Sequence, residues 1–95
     1  MSISEFRFNK RRKHPSYVFK EKNNKYHCIL ITHSNKTRNK KNVLLYKNPQ
    51  NGKNENAYLI PKVYKDDKSC YGKKLYNYSF HKYDKRKVKR IKKYK

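Results

Sequence analysis

Acidic side chains are nearly missing from this chain. Six Asp and Glu stand against 28 Lys and Arg in 95 residues, a formal net charge of +22. A chain this cationic repels itself and needs counter-charge from a partner. Nucleic acid supplies it most directly, because each neutralised phosphate releases a condensed counterion and adds sequence-independent affinity. An acidic protein partner or an anionic membrane surface would be other sources. Long apolar runs are also absent. The longest is Cys28-Ile29-Leu30-Ile31, so no segment is fit to span a bilayer. Nothing apolar follows the N-terminal charges, which excludes a signal peptide and points to a cytoplasmic, intracellular protein.

Glycine and cysteine occur twice each. No Gly-rich phosphate loop, nucleophile elbow or cofactor motif can be assembled from them. Cys28 and Cys70 are too few for a zinc knuckle, and His14, His27, His33 and His81 lack ligand spacing, so no metal is expected. In an intracellular setting both cysteines read as free thiols. Cys28 is placed in a buried strand and Cys70 in a loop.

What is present is tyrosine. Ten Tyr and four Phe lift the aromatic content to 15% against only 34% hydrophobic residues and a mean hydropathy of −1.42. The hydropathy alone resembles that of disordered chains. The aromatics argue instead for a small domain, since Tyr buries a ring while its hydroxyl stays wet.

Along the chain, residues 1–9 read as a flexible arm. Residues 10–81 read as a small β domain, and residues 82–95 as a basic helix. Pro15 pushes His14 out of the helical region and opens a strand through Lys20. Asn23-Asn24 is a turn signal. Tyr26 to Thr32 is apolar on both faces at its centre, the mark of a central strand. Ser34 to Asn42 is an exposed basic loop carrying Lys36, Arg38, Lys40 and Lys41. Val43 to Lys47 and Ala57 to Tyr64 are further strands, with Pro61 marking an edge or bulge. Asp66 to Gly72 reads as a loop and Leu75 to Phe80 as a last strand.

In the tail, Asp84 is placed to cap a helix. Val88, Ile91 and Tyr94 make its narrow apolar stripe. The expected fold is mainly β, a small SH3-like barrel or strongly bent antiparallel sheet with one terminal helix. Its backbone-binding cations are Arg11, Arg12, Lys13, Lys36, Arg38, Lys40, Lys41, Lys85, Arg86, Lys89, Arg90, Lys92 and Lys93. Only six of the 28 cations are Arg, so weak base reading is expected.

One cluster could carry chemistry. If the strands flanking Asn23-Asn24 pair antiparallel, His14 falls near Thr32, His33 and Ser34. A histidine beside cations suits RNA cleavage through the RNA's own 2′-hydroxyl. The bland alternative is a strand end with Thr32 capping the turn. The run His14-Pro15-Ser16-Tyr17-Val18-Phe19, followed by Ile31-Thr32-His33-Ser34, resembles the opening of the MazF/PemK-type toxins. The likeness spans roughly residues 10–47. It implies an SH3-like barrel, often dimeric, that cleaves single-stranded RNA without metal. Thr32 then matches the motif Thr, while His14 stands where that family has Arg. Three functions follow as expectations: a low-specificity binder of RNA or a ribonucleoprotein; an endoribonuclease toxin using His14, Thr32 and His33; or a phage or mobile-element inhibitor of an RNA-guided nuclease.

Overall fold

The computed structural model describes residues 2–93. It is mainly β: a strongly curled antiparallel half-barrel with one C-terminal helix. Its strands are β1 (Ser2–Asn9), β2 (His14–Lys22), β3 (Lys25–Thr32), β4 (Lys36–Thr37), β5 (Lys40–Lys41), β6 (Val43–Leu44), β7 (Tyr58–Leu59), β8 (Tyr64–Asp67) and β9 (Tyr71–Lys74). The helix is α1 (Lys85–Lys92). The main sheet runs β6-β7-β3-β2-β1-β9, with β8 also paired to β3; β4 and β5 form a separate hairpin. The radius of gyration is 12.3 Å, close to the roughly 12 Å expected of a folded chain this long, so the low hydropathy does not leave it expanded.

Local chemistry explains the turns. Asn23 and Asn24 both take positive φ, 53° and 62°, between the paired residues Lys22 and Lys25. Two left-handed residues in a two-residue loop match the right-handed twist of a hairpin, and Asn tolerates that conformation. The β4–β5 hairpin turns in the same way through Arg38 and Asn39. The segment 34–42 is therefore a hairpin rather than an open loop. Asn42 pins its base, its Nδ2 donating to the Ser34 carbonyl at 2.9 Å and to Thr37 Oγ1 at 2.8 Å.

Several expectations need correction. Residues 2–9 are not a flexible arm: β1 pairs with β2 on one side and β9 on the other. Phe6 is its anchor in the core, and the pairing to β2 and β9 gives Ser2 to Asn9 an interior place in the sheet. The acidic segment after Tyr64 is not a loop but strand β8, a 3₁₀ turn and strand β9. The last strand ends at Lys74, and residues 75–80 run on irregularly, tied by the Leu75 N–H to the Phe6 carbonyl at 2.7 Å. Pro61 does interrupt a strand. Between Leu59 and Tyr64 the chain advances five residues while β3, its partner, recedes three from Ile31 to Cys28. The excess bulges at Pro61, which has no donor to lose.

β3 is buried on both faces, as its sequence suggests. Ile29 and Ile31 pack with Phe6, Tyr17, Leu59, Val88 and Ile91. Cys28 and Leu30 pack with Val18, Ile60 and Tyr71 on the other side. Only the first face receives α1. An eight-residue helix of mostly Lys and Arg is too short to persist alone. It docks through Val88 and Ile91, exposed by only 4% and 2%, each contributing about 1.5–3 kcal/mol of apolar burial. Tyr94, expected to extend this stripe, lies outside the described residues. Both cysteines are free; burial pushes the Cys28 thiol up and keeps it protonated.

Candidate nucleic-acid interface

Two acids organise the basic surface. Asp66, on β8, is buried, and its carboxylate accepts from Asn9 Nδ2 at 2.9 Å, Arg11 at 3.0 Å and Arg12 at 3.0 and 3.1 Å. Burial alone would raise its pKa. The hydrogen bonds from Arg12 and Asn9 and the charges of Arg12 and Arg11 outweigh that, so it sits below the usual carboxylate range. The Arg12 guanidinium also lies 4.6 Å from the Tyr64 ring centroid. Arg11 and Arg12 thus share one internal carboxylate, whereas Lys13 sits in the β1–β2 turn at φ 61°.

Asp84 is the second anchor. It occupies the N-cap position of α1, but its side chain makes no capping bond to the helix. Its carboxylate instead accepts from the backbone N–H of Tyr46 at 2.7 Å and of Lys47 at 3.2 Å, and from Lys87 Nζ at 3.1 Å. The expected cap is in fact a strap between the helix start and the segment after β6. It still places negative charge at the positive end of the helix dipole.

The strand-end cluster assembles. The register Ser16↔Leu30 puts the start of β2 beside the end of β3. His14, Thr32 and His33 line one cavity of about 330 Å³ together with Lys13, Ser34 and Tyr78. Its groups are already engaged, however. Thr32 Oγ1 accepts the Ser34 N–H at 3.2 Å, the turn-capping arrangement. His33 Nδ1 lies 3.3 Å from the Asn56 carbonyl, which can only accept, so Nδ1 carries the proton. Burial first, and then the charge of His33, hold His14 below its ordinary value, so it is neutral at pH 7. Arg12 faces a neighbouring cavity with His14, Arg38 and Tyr64.

The remaining basic residues form two exposed surfaces. One is the β4–β5 hairpin, with Lys36, Arg38, Lys40 and Lys41. The other is on α1 and the residue after it, with Lys85, Arg86, Lys89, Arg90, Lys92 and Lys93; all ten of these side chains are exposed. Among the described residues, every ion pair uses Glu5, Glu21, Asp66, Asp67 or Asp84, and none reaches the cations of these two surfaces.

The structure adds residues that composition did not single out. Tyr46 and Tyr83, 65% and 55% exposed, close around His81 with ring centroids 4.6–5.1 Å apart. Tyr76 is 85% exposed. A sequence signal for the two anchors did exist, since an acid in so acid-poor a chain is conspicuous. Among the described residues, no group of three or more His, Cys, Asp or Glu gathers to hold a metal, and no helix is long and apolar enough to cross a membrane. No family model, curated protein or solved structure matches this chain, so the MazF/PemK likeness rests on the motif residues themselves.

Proposed function

We propose that this chain is a nucleic-acid-binding protein that holds RNA, free or within a ribonucleoprotein, by its backbone and with little sequence preference. The observation that carries this reading is the pair of exposed cationic surfaces, on the β4–β5 hairpin and on α1, that no acid among the described residues neutralises. Lysine is a flexible point charge suited to phosphate, and exposed tyrosines offer ring faces to unpaired bases.

The experiment is a salt titration with several unrelated RNA oligomers. Affinity should fall steeply with salt and differ little between sequences, with a slope of about −0.7 per phosphate contacted on a single strand. Replacing Lys85, Arg86, Lys89 and Arg90 with Gln should weaken binding and flatten the slope while the fold persists. A salt-independent affinity, or an unchanged slope in that variant, would remove the electrostatic basis of this reading.

A second reading, metal-independent RNA cleavage, draws on one observation: His14, Thr32 and His33 share a cavity beside Lys13. Set against it are the capped Thr32 hydroxyl and the neutral His14 in the place of an arginine. A neutral His14 can accept a proton but brings no positive charge to a developing phosphate anion, whereas an Arg charge would not titrate away.

A further inference from the structure

We propose that the groove between residues 74–80 and α1 is a binding site for the bases of single-stranded RNA. The groove has a volume of about 710 Å³. Its floor is aromatic: the half-buried rings of Tyr78 and Phe80, backed by the buried Phe6 and Tyr17, with ring centroids 5.0–5.6 Å apart in the pairs they form. Tyr76 stands at its edge almost fully in solvent. Lys74, Lys85, Lys89 and Lys92 form the rim. Lys92 Nζ lies 5.5 Å from the Tyr17 ring centroid.

This deepens the nucleic-acid reading and rests on it. Rings below and ammonium groups around the edge fit a strand whose bases turn in and whose phosphates stay out. Duplex cannot use such a floor, because its bases are already stacked and paired. An acidic peptide would satisfy the lysines but leave Tyr76 and the accessible parts of Tyr78 and Phe80 without a stacking partner. Ser4, Ser79 and the Glu5 carboxylate also line the groove and can accept from a 2′-hydroxyl, which favours RNA. Tyr78 is shared by this groove and the His14–His33 cavity, so a strand leaving the groove at that ring passes directly to Lys13.

The test compares a uridine 12-mer, an abasic ribose-phosphate 12-mer and a 12-base-pair RNA duplex. The abasic strand has every phosphate and no ring, so it measures the electrostatic reading alone. The wild type should bind the uridine strand at least about tenfold more tightly than the abasic one, since each stacked base contributes roughly 5- to 150-fold. Tyr76→Ala should remove much of that difference and leave abasic binding within about twofold. Tyr76→Phe should retain it. Tyr76 packs so little that its truncation should leave the fold intact. The chain has no tryptophan, so Tyr76→Trp gives a single reporter, quenched by the uridine strand and not by the abasic one. Equal binding of uridine and abasic strands would overturn the groove while leaving the electrostatic reading in place. Failure of both strands to bind would overturn both. Tighter binding of the duplex, of the matching deoxyuridine strand, or of an oligoglutamate of equal charge would overturn the groove as an RNA single-strand site.

Discussion

Replacing Asp84 with Ala tests whether one carboxylate holds the helix to the sheet. The side chain is fully buried and receives three donors. Truncation strands the Tyr46 and Lys47 amides, each at about 1–3 kcal/mol when left without a partner. The Lys87 contact adds little. That ammonium is a third exposed and also donates to the Leu44 carbonyl at 2.9 Å, so it keeps one partner. The expected loss is about 3 kcal/mol. For a domain of this size each kcal/mol lowers Tm by about 4–8 °C, so a fall of roughly 12–24 °C should appear in thermal unfolding followed by circular dichroism. Asp84→Asn keeps one acceptor oxygen and should lose about half as much. Hydrogen exchange should quicken at Tyr46 and Lys47 before it does in β6 and β7. A capping role makes a different forecast, a loss of about 1 kcal/mol confined to the first turn of α1. A Tm for Asp84→Ala within about 2 °C of wild type would refute the strap.

Acid should weaken the fold through Asp66. Its folded pKa lies below its unfolded value, so its contribution is complete above the ordinary carboxylate range near 4 and fades as pH falls through the folded value. Asp66→Asn should make the acid limb of a stability–pH curve shallower, and an identical acid midpoint in that variant would contradict the assignment. For catalysis, single-stranded RNA incubated with the protein in EDTA should remain intact while still bound. If the cluster does cleave, the product carries a 2′,3′-cyclic phosphate, and His14→Ala and Thr32→Ala each slow the reaction by roughly 10²-fold or more. Cleavage lost in both variants would establish the enzyme reading.

Much of this architecture is legible in the chain. Tyr26 to Thr32 shows its central place through apolar residues on both faces, because period-two alternation vanishes only where both sides are covered. Asn23-Asn24 marks its turn, since few residues accept two successive left-handed conformations. Val88 and Ile91 announce how α1 docks, being the apolar positions among described cations one helical turn apart. The juxtaposition of His14 with Thr32 and His33 also follows from that one hairpin, as antiparallel pairing brings the start of one strand to the end of the next.

Other features depend on residues far apart in the chain. Ser2 to Asn9 looks like a tail because its strand character is weak locally; β2 and β9 supply the hydrogen bonds that make it interior. Asp84 reads as a cap from its neighbours, yet its acceptors are used by amides 37 and 38 positions earlier. Arg11 and Arg12 read as free surface charge, and only Asp66, 54 and 55 residues on, reveals that they are partly neutralised. The ring-floored groove draws Phe6, Tyr17, Tyr78 and Phe80 from both ends of the chain. Composition by itself determined the kind of counter-charge this protein needs, because net charge does not depend on the fold. Tertiary structure alone decided which cations remain available and where the rings lie beside them, because pairing and burial arise only when distant segments meet.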